Sequence, residues 1–259
     1  TMTGNIKMLD ISNYFWDRVI NHHSYANGGN SDFEHFGEPD HLNNRLSTNT
    51  TETCNSYNML KLTNKLFSFS PEAKYFERTL YNHILSSQNP ETGMVCYYMN
   101  HTNGGVKAFS TEFDSFWCDV GTGLENHVKY TEAIYSHGLN DSLFVNLFIP
   151  SELNWKTKNI KIKQTTRFPY NDTTRFEITQ GNASFKLLIR YPYWVNNNMS
   201  IKINGQNYSF NCTSGTYISI DRNWTIGDKV EVVLPMQLQT QAIPDNPKRK
   251  AFLYGPIVM

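Results

Sequence analysis

The spacing of apolar residues changes character once along the chain, near residue 140. Before that point it is helical. A pattern runs from Met8 to Asn21. Met59, Leu62 and Leu66 then recur at helical spacing, followed by Phe76, Leu80 and Ile84, and by Leu124, Val128 and Tyr135. Ser70-Pro71-Glu72 predicts the start of the Phe76 helix, with serine as N-cap, proline at the first helical position and an acid in the first turn. From Leu143 the period is two: Ile160/Ile162, Phe176/Ile178, Phe185/Leu187/Ile189, Ile201/Ile203, Ile218/Ile220 and Val230/Val232/Leu234 alternate with polar residues. Asn204-Gly205 predicts a type I′ hairpin turn. The expected order is a helical part over residues 1–140 and an antiparallel β-sandwich over residues 141–259.

Two long polar stretches, Ala26–Thr51 and Ser86–Asp114, separate the helices. Loops of that length without structure of their own are usually functional. The 259 residues carry equal numbers of acids and bases, 23 of each, and show no basic stripe. That argues against nucleic acid as the main partner. No apolar run is long enough to span a bilayer. No signal peptide is visible, and the chain reads as cut at both ends. Asn-x-Ser/Thr sequons at Asn49, Asn100, Asn140, Asn171, Asn182, Asn198, Asn207, Asn211 and Asn223 point to a secreted glycoprotein.

Four cysteines, Cys54, Cys96, Cys118 and Cys212, allow two disulfides in a secreted chain. Two of them sit beside acids, in Glu52-Thr53-Cys54 and in Ser115-Phe116-Trp117-Cys118-Asp119, each at the start of a helical pattern. A thiolate held by a cation or at a helix N-terminus is a strong nucleophile at neutral pH. Zinc accepts thiolate, imidazole and carboxylate in a tetrahedral set. The spacing is neither that of a zinc finger nor HExxH. A Cys54–Cys118 disulfide and a pair of buried free thiols compete with a metal site at this stage. Gly121-Thr122-Gly123 lacks the lysine of a phosphate loop and reads as a close backbone approach or a helix start, with Glu125 and His127 following as packing groups. Tyr97, Tyr98, Trp117, Tyr191, Tyr193 and Trp194 suit sugar stacking and core packing alike, and packing is expected for Tyr191–Trp194.

In these residues the chain resembles glycoside hydrolase family 127, the β-L-arabinofuranosidase-like proteins, and their close relatives. The resemblance runs through Gly28-Gly29-Asn30-Ser31, Glu34-His35-Phe36, Glu52-Thr53-Cys54, Glu77-Arg78-Thr79-Leu80-Tyr81-Asn82, Phe113-Asp114-Ser115-Phe116-Trp117-Cys118 and Gly121-Thr122-Gly123-Leu124-Glu125-Asn126-His127. It continues in Ile189-Arg190-Tyr191-Pro192-Tyr193-Trp194, Pro235-Met236 and Tyr254-Gly255-Pro256. It implies an (α/α)6 six-hairpin barrel followed by an antiparallel β-sandwich, of which this chain would be an internal fragment holding the later barrel helices.

The resemblance also implies a retaining glycosidase with a zinc-bound cysteine nucleophile. By motif, Cys118 resembles the nucleophile and Glu34 the zinc-binding glutamate; the acid/base of the implied mechanism would be Glu34 or Glu52. The zinc set would be Glu34, Cys54, Cys118 and Asp119. Glu52, Glu77 and Tyr98 resemble residues lining the sugar pocket. The substrate would be a plant-type or cell-wall glycan or a glycoprotein sugar. The family typically carries two adjacent cysteines where this chain has Cys118-Asp119. A carboxylate in that place implies weaker or less selective zinc binding. The alternative expectation is therefore a non-catalytic carbohydrate-binding or scaffold homologue that has lost a metal ligand. A glycan on Asn49 would crowd the pocket.

Overall fold

The computed structural model describes residues 4–67, 73–196 and 198–259. The expected N-cap Ser70-Pro71-Glu72 lies outside them. The chain forms two compact units, Thr1–Lys129 with Gln239–Met259, and Tyr130–Leu238.

The first unit is built around α2 (Thr53–Leu66), which packs against α1 (Ile6–His22), α3 (Ala73–Thr79) and α4 (Cys118–Lys129). Of the residues that the helical spacing picks out on α2, Met59 and Leu66 are buried and Leu62 is half-buried, with Tyr57 and Leu60 buried beside them. Trp16 of α1 donates its indole N–H to Thr63 Oγ1 at 2.7 Å and meets Tyr75 of α3 edge-on. After α3 the chain widens into a π turn, Leu80–Ile84. Asn82 in that turn is buried. It donates to Pro256 O at 2.8 Å and accepts from Val258 N at 2.7 Å. Residues 239–259, which the alternation groups with the sandwich, thus fold with the helices. They carry most of a three-stranded antiparallel sheet, considered below with the other strands.

The face predicted by Leu124, Val128 and Tyr135 is not a buried helical face in this chain. Leu124 and Val128 are 74% and 70% exposed, and Tyr135 belongs to a strand. The glycines of Gly121-Thr122-Gly123 do not open α4 but lie inside it, because Cys118 is its first residue. Gly123 allows a close approach: a Cβ there would meet Val95 Cγ1 at 2.9 Å.

The second unit starts with a short helix, α5 (Thr131–Ile134), and is otherwise mostly strand. Its strands are β1 (Tyr135–Gly138), β2 (Ser142–Val145), β3 (Ser151–Trp155), β4 (Ile160–Thr166), β5 (Thr173–Gln180), β6 (Ala183–Arg190), β7 (Ser200–Ile203), β8 (Gln206–Tyr208), β9 (Tyr217–Trp224) and β10 (Lys229–Val233). They form sheets of order β1-β2-β6-β9 and β3-β4-β5-β10-β7-β8. The remaining strands, β11 (Leu238–Ile243), β12 (Asn246–Tyr254) and β13 (Ile257–Val258), make the three-stranded sheet. One pair departs from the expected antiparallel pattern: β2 runs parallel to β6. The even alternation is faithful, since Ile160, Ile162, Phe176, Ile178, Phe185, Leu187, Ile189, Ile218, Ile220, Val230 and Val232 are all buried. Trp155 of one sheet meets Phe185 of the other at 5.4 Å. Asn204 and Gly205 both take positive φ, 52° and 82°, and join β7 to β8 with Ile203 opposite Gln206. Trp194 stacks on Phe168 and Tyr191 is buried, so these aromatics serve packing. No helix among the described residues is long and apolar enough to cross a membrane.

Candidate metal centre and active site

The two polar stretches fold onto the start of α2. Segment 31–35 runs beside 49–51, through Thr51 N to Ser31 O and Phe33 N to Asn49 O, and segment 97–99 runs along the other side, through Thr53 N to Tyr97 O and Met99 N to Thr51 O. Thr51, just before Glu52, has φ 62°, and Glu34 has φ 64°. For a β-branched residue such a backbone is a genuine outlier, held only where the surroundings over-determine it. Gly28 and Gly29 make that possible. A Cβ on Gly28 would lie 2.2 Å from Thr79 Oγ1, and one on Gly29 would lie 2.6 Å from Thr51 Cβ and 2.8 Å from His83 Nδ1. Behind them, buried His83 shares a 2.7 Å hydrogen bond with Ser56.

The first turns of α2 and α4 meet. Glu52, Cys54, Cys118 and Asp119 each bring one ligand atom within 4.8 Å of all the others. Asp119 is 1% exposed. Its Oδ1 accepts from Thr53 Oγ1 at 2.5 Å and from Cys54 N at 3.0 Å, and its Oδ2 accepts from Cys118 Sγ at 3.4 Å. Cys54 Sγ lies 3.2 Å from Thr122 Oγ1. All four cysteines are free thiols, with Cys54 and Cys96 buried and Cys118 exposed.

The expected set and the observed set differ in one member. Glu52 joins the two cysteines and Asp119, and Glu34 stands outside. Glu34 is exposed on the neighbouring strap, where its Oε1 accepts from Tyr97 Oη and, at 3.2 Å, from Tyr98 Oη. Tyr97 stacks tilted on Tyr98 with centroids 4.5 Å apart and meets Trp117 edge-on at 5.7 Å, so these three of the aromatics suited to sugar stacking lie together. Glu77 lies on α3 at 1% exposure and presents no surface to a ligand.

The electrostatics are those of an acid cluster. Burial, then the carboxylates of Asp119 and Glu34, push the Glu52 carboxyl up to about 7. Burial raises the Cys54 and Cys118 thiols as well, with Asp119 adding to both. The hydrogen bond to Glu34 holds the Tyr97 phenol protonated, and burial with the Glu34 charge pushes Tyr98 up to about 12. Protein groups alone therefore keep both thiols neutral at pH 7. A divalent cation among the same four atoms reverses that balance, because a coordinating thiol is deprotonated outright. The donor set fits such an ion. Zinc with sulfur at about 2.3 Å and oxygen at about 2.0–2.2 Å needs ligand atoms about 3.3–3.8 Å apart, within small side-chain rotations of the observed cluster.

The model of the GH127 β-L-arabinofuranosidase catalytic domain matches residues 1–132, and that of the GH127 middle domain matches residues 142–236. A solved GH127 β-arabinofuranosidase is 28% identical over 99% of this chain and 44% of its own, with a TM-score of 0.85. A solved glycoside hydrolase is 21% identical over 94% of this chain and 46% of its own, with a TM-score of 0.80. A GH127 β-L-arabinofuranosidase from Geobacillus stearothermophilus T6 is 23% identical over 94% and 41%, with a TM-score of 0.77. These last two show the fold alone. The chain spans less than half the length of each of the three. No curated protein matches it.

Proposed function

The chain belongs to glycoside hydrolase family 127, the β-L-arabinofuranosidase family, and on that premise we propose that it serves a retaining glycosidase whose nucleophile is Cys118. The observation that carries the reading is the convergence of Glu52, Cys54, Cys118 and Asp119 from two separate segments. In this reading the helices belong to an (α/α)6 barrel, and the substrate is a β-L-arabinofuranoside of a plant-type or cell-wall glycan or of a glycoprotein. The sequons fit secretion.

Glu52, Cys54, Cys118 and Asp119 would hold zinc. Bound there, the ion supplies the positive charge that keeps the Cys118 sulfur as a thiolate. Cys118 Sγ attacks the anomeric carbon while the bond to the leaving oxygen breaks. Glu34 gives that oxygen its proton. Its place outside the ligand set supports this role, since a carboxylate holding the ion cannot also carry a proton. The Glu34 carboxylate then takes a proton from water, the hydroxide attacks the same carbon, and the sulfur leaves. Two displacements retain configuration. Proton transfer of this kind contributes about 10²–10⁴ in rate. Tyr97, Tyr98 and Trp117 offer aromatic faces and hydroxyls to the sugar.

Cys118→Ser tests the scheme. Hydrolysis of an arabinofuranoside chromogen should be abolished while the far-UV circular dichroism stays that of the parent chain. Unchanged hydrolysis rules Cys118 out. One observation favours a second reading, a carbohydrate-binding homologue without turnover: Asp119 stands in a ligand position with one oxygen already engaged by α2. Metal content and hydrolysis measured together separate the two, because protein that binds the furanoside without hydrolysing it, with or without zinc, is the second.

A further inference from the structure

We propose that Asp119 is a metal-independent clasp, whose carboxylate fastens the start of α4 to the first turn of α2 and keeps Cys54 and Cys118 together before any ion binds. The consequence for metal binding rests on the reading above. The clasp itself does not.

The first amides of a helix have no partner within it. In α2 the carboxylate of the N-cap residue, Glu52, faces the Asn55 amide and not those of Thr53 and Cys54. The need is met from elsewhere. Thr53 N–H goes to Tyr97 O at 3.0 Å, and Cys54 N–H goes to Asp119 Oδ1 at 3.0 Å. The Thr53 hydroxyl lies 2.5 Å from the same oxygen. A carboxylate at a helix N-terminus gains from the helix dipole and from charge-assisted hydrogen bonds. At 1% exposure, water does not compete for Asp119. Its two oxygens have separate tasks: Oδ1 holds α2, and Oδ2 faces Cys118 Sγ at 3.4 Å. A cysteine at this position would offer one weak acceptor in place of two strong ones. The aspartate is thus a structural tie as well as a donor to the ion, and the site stays assembled in the metal-free chain.

The test compares thermal unfolding in excess chelator and after adding zinc. In chelator, Asp119→Asn and Asp119→Cys should melt roughly 5 °C below the parent chain. Glu52→Gln, which removes a ligand but not the clasp, should not fall. With zinc, the parent and Asp119→Cys should both rise, Asp119→Cys from its lower baseline. Asp119→Asn keeps the side chain's shape and is the variant to examine if the others fail to fold. In chelator its Cys54 amide should exchange roughly tenfold faster than in the parent. Parent-like melting of Asp119→Asn and Asp119→Cys in chelator, or an unchanged Cys54 amide, overturns the clasp. An equal fall in Glu52→Gln overturns it too. If zinc moves no melting point while the Asp119 variants still melt low, the metal reading fails and the clasp stands.

Discussion

His83 offers a measurement of how firmly the support beneath Glu52 is built. Its ring is fully buried against Ser56 and would touch any side chain placed on Gly29. Burial, with a smaller push from His101, lowers its pKa from 6.5 to about 3. In the folded chain it therefore stays neutral down to about pH 3, whereas the unfolded chain protonates it below about 6.5. Stability is full above pH 6.5 and is lost as pH falls from there toward 3. Each pH unit in that window costs about 1.4 kcal/mol, so at pH 5 the loss is about 2 kcal/mol. That corresponds to a fall of about 4–8 °C in melting temperature. Glu52 opposes it. Its raised pKa means that the folded state takes up a proton first, which stabilises the fold as pH falls from about 7 to 4.5. The parent curve alone is thus not diagnostic, and the difference from His83→Gln is. Urea unfolding at pH 7.5 and pH 5 should show the parent losing about 2 kcal/mol more than His83→Gln on acidification. Equal losses would mean that His83 is hydrated and the layer under the site is open.

Two further outcomes follow from buried polar ties. Asp228 in the sandwich accepts from Asn204 Nδ2, Thr225 N and Arg222 Nη2. Burial alone would raise its pKa, but these donors outweigh it and hold it below the ordinary value. Asp228→Asn should therefore cost about 1–3 kcal/mol at pH 7. The difference should persist above the usual carboxylate pKa of about 3.8 and vanish as pH falls through the lowered one, checked by urea titration at pH 7 and pH 3. Asn82 ties the π turn to both sides of the β12–β13 turn, so Asn82→Leu should cost about 2–4 kcal/mol, since it leaves Pro256 O and Val258 N without that partner. Loss of amide protection at Val258, with the α2 amides kept, is the accompanying signature.

The secondary structure was largely legible in the chain. Period two from Ile160 to Val232 marks strands whose alternate residues are buried, and Asn204-Gly205 turns as its chemistry requires. The π turn at Leu80–Ile84 was not legible, because Phe76, Leu80 and Ile84 keep helical spacing through it. Leu124 and Val128 have the spacing of a buried face and are exposed, because periodicity marks which face of a helix is apolar and not whether anything covers it.

By itself the sequence determined the residue types of the site, two thiols beside two acids at the starts of helices, and its family. Which glutamate joins them was decided only in three dimensions. Glu52 leads α2 and lies two residues from Cys54, so it shares the turn that meets α4. Glu34, on a strap held in left-handed backbone, turns to Tyr97 and Tyr98 instead. The second task of Asp119 also belongs to the tertiary structure alone, because a helix amide left open at residue 54 finds its acceptor sixty-five residues away.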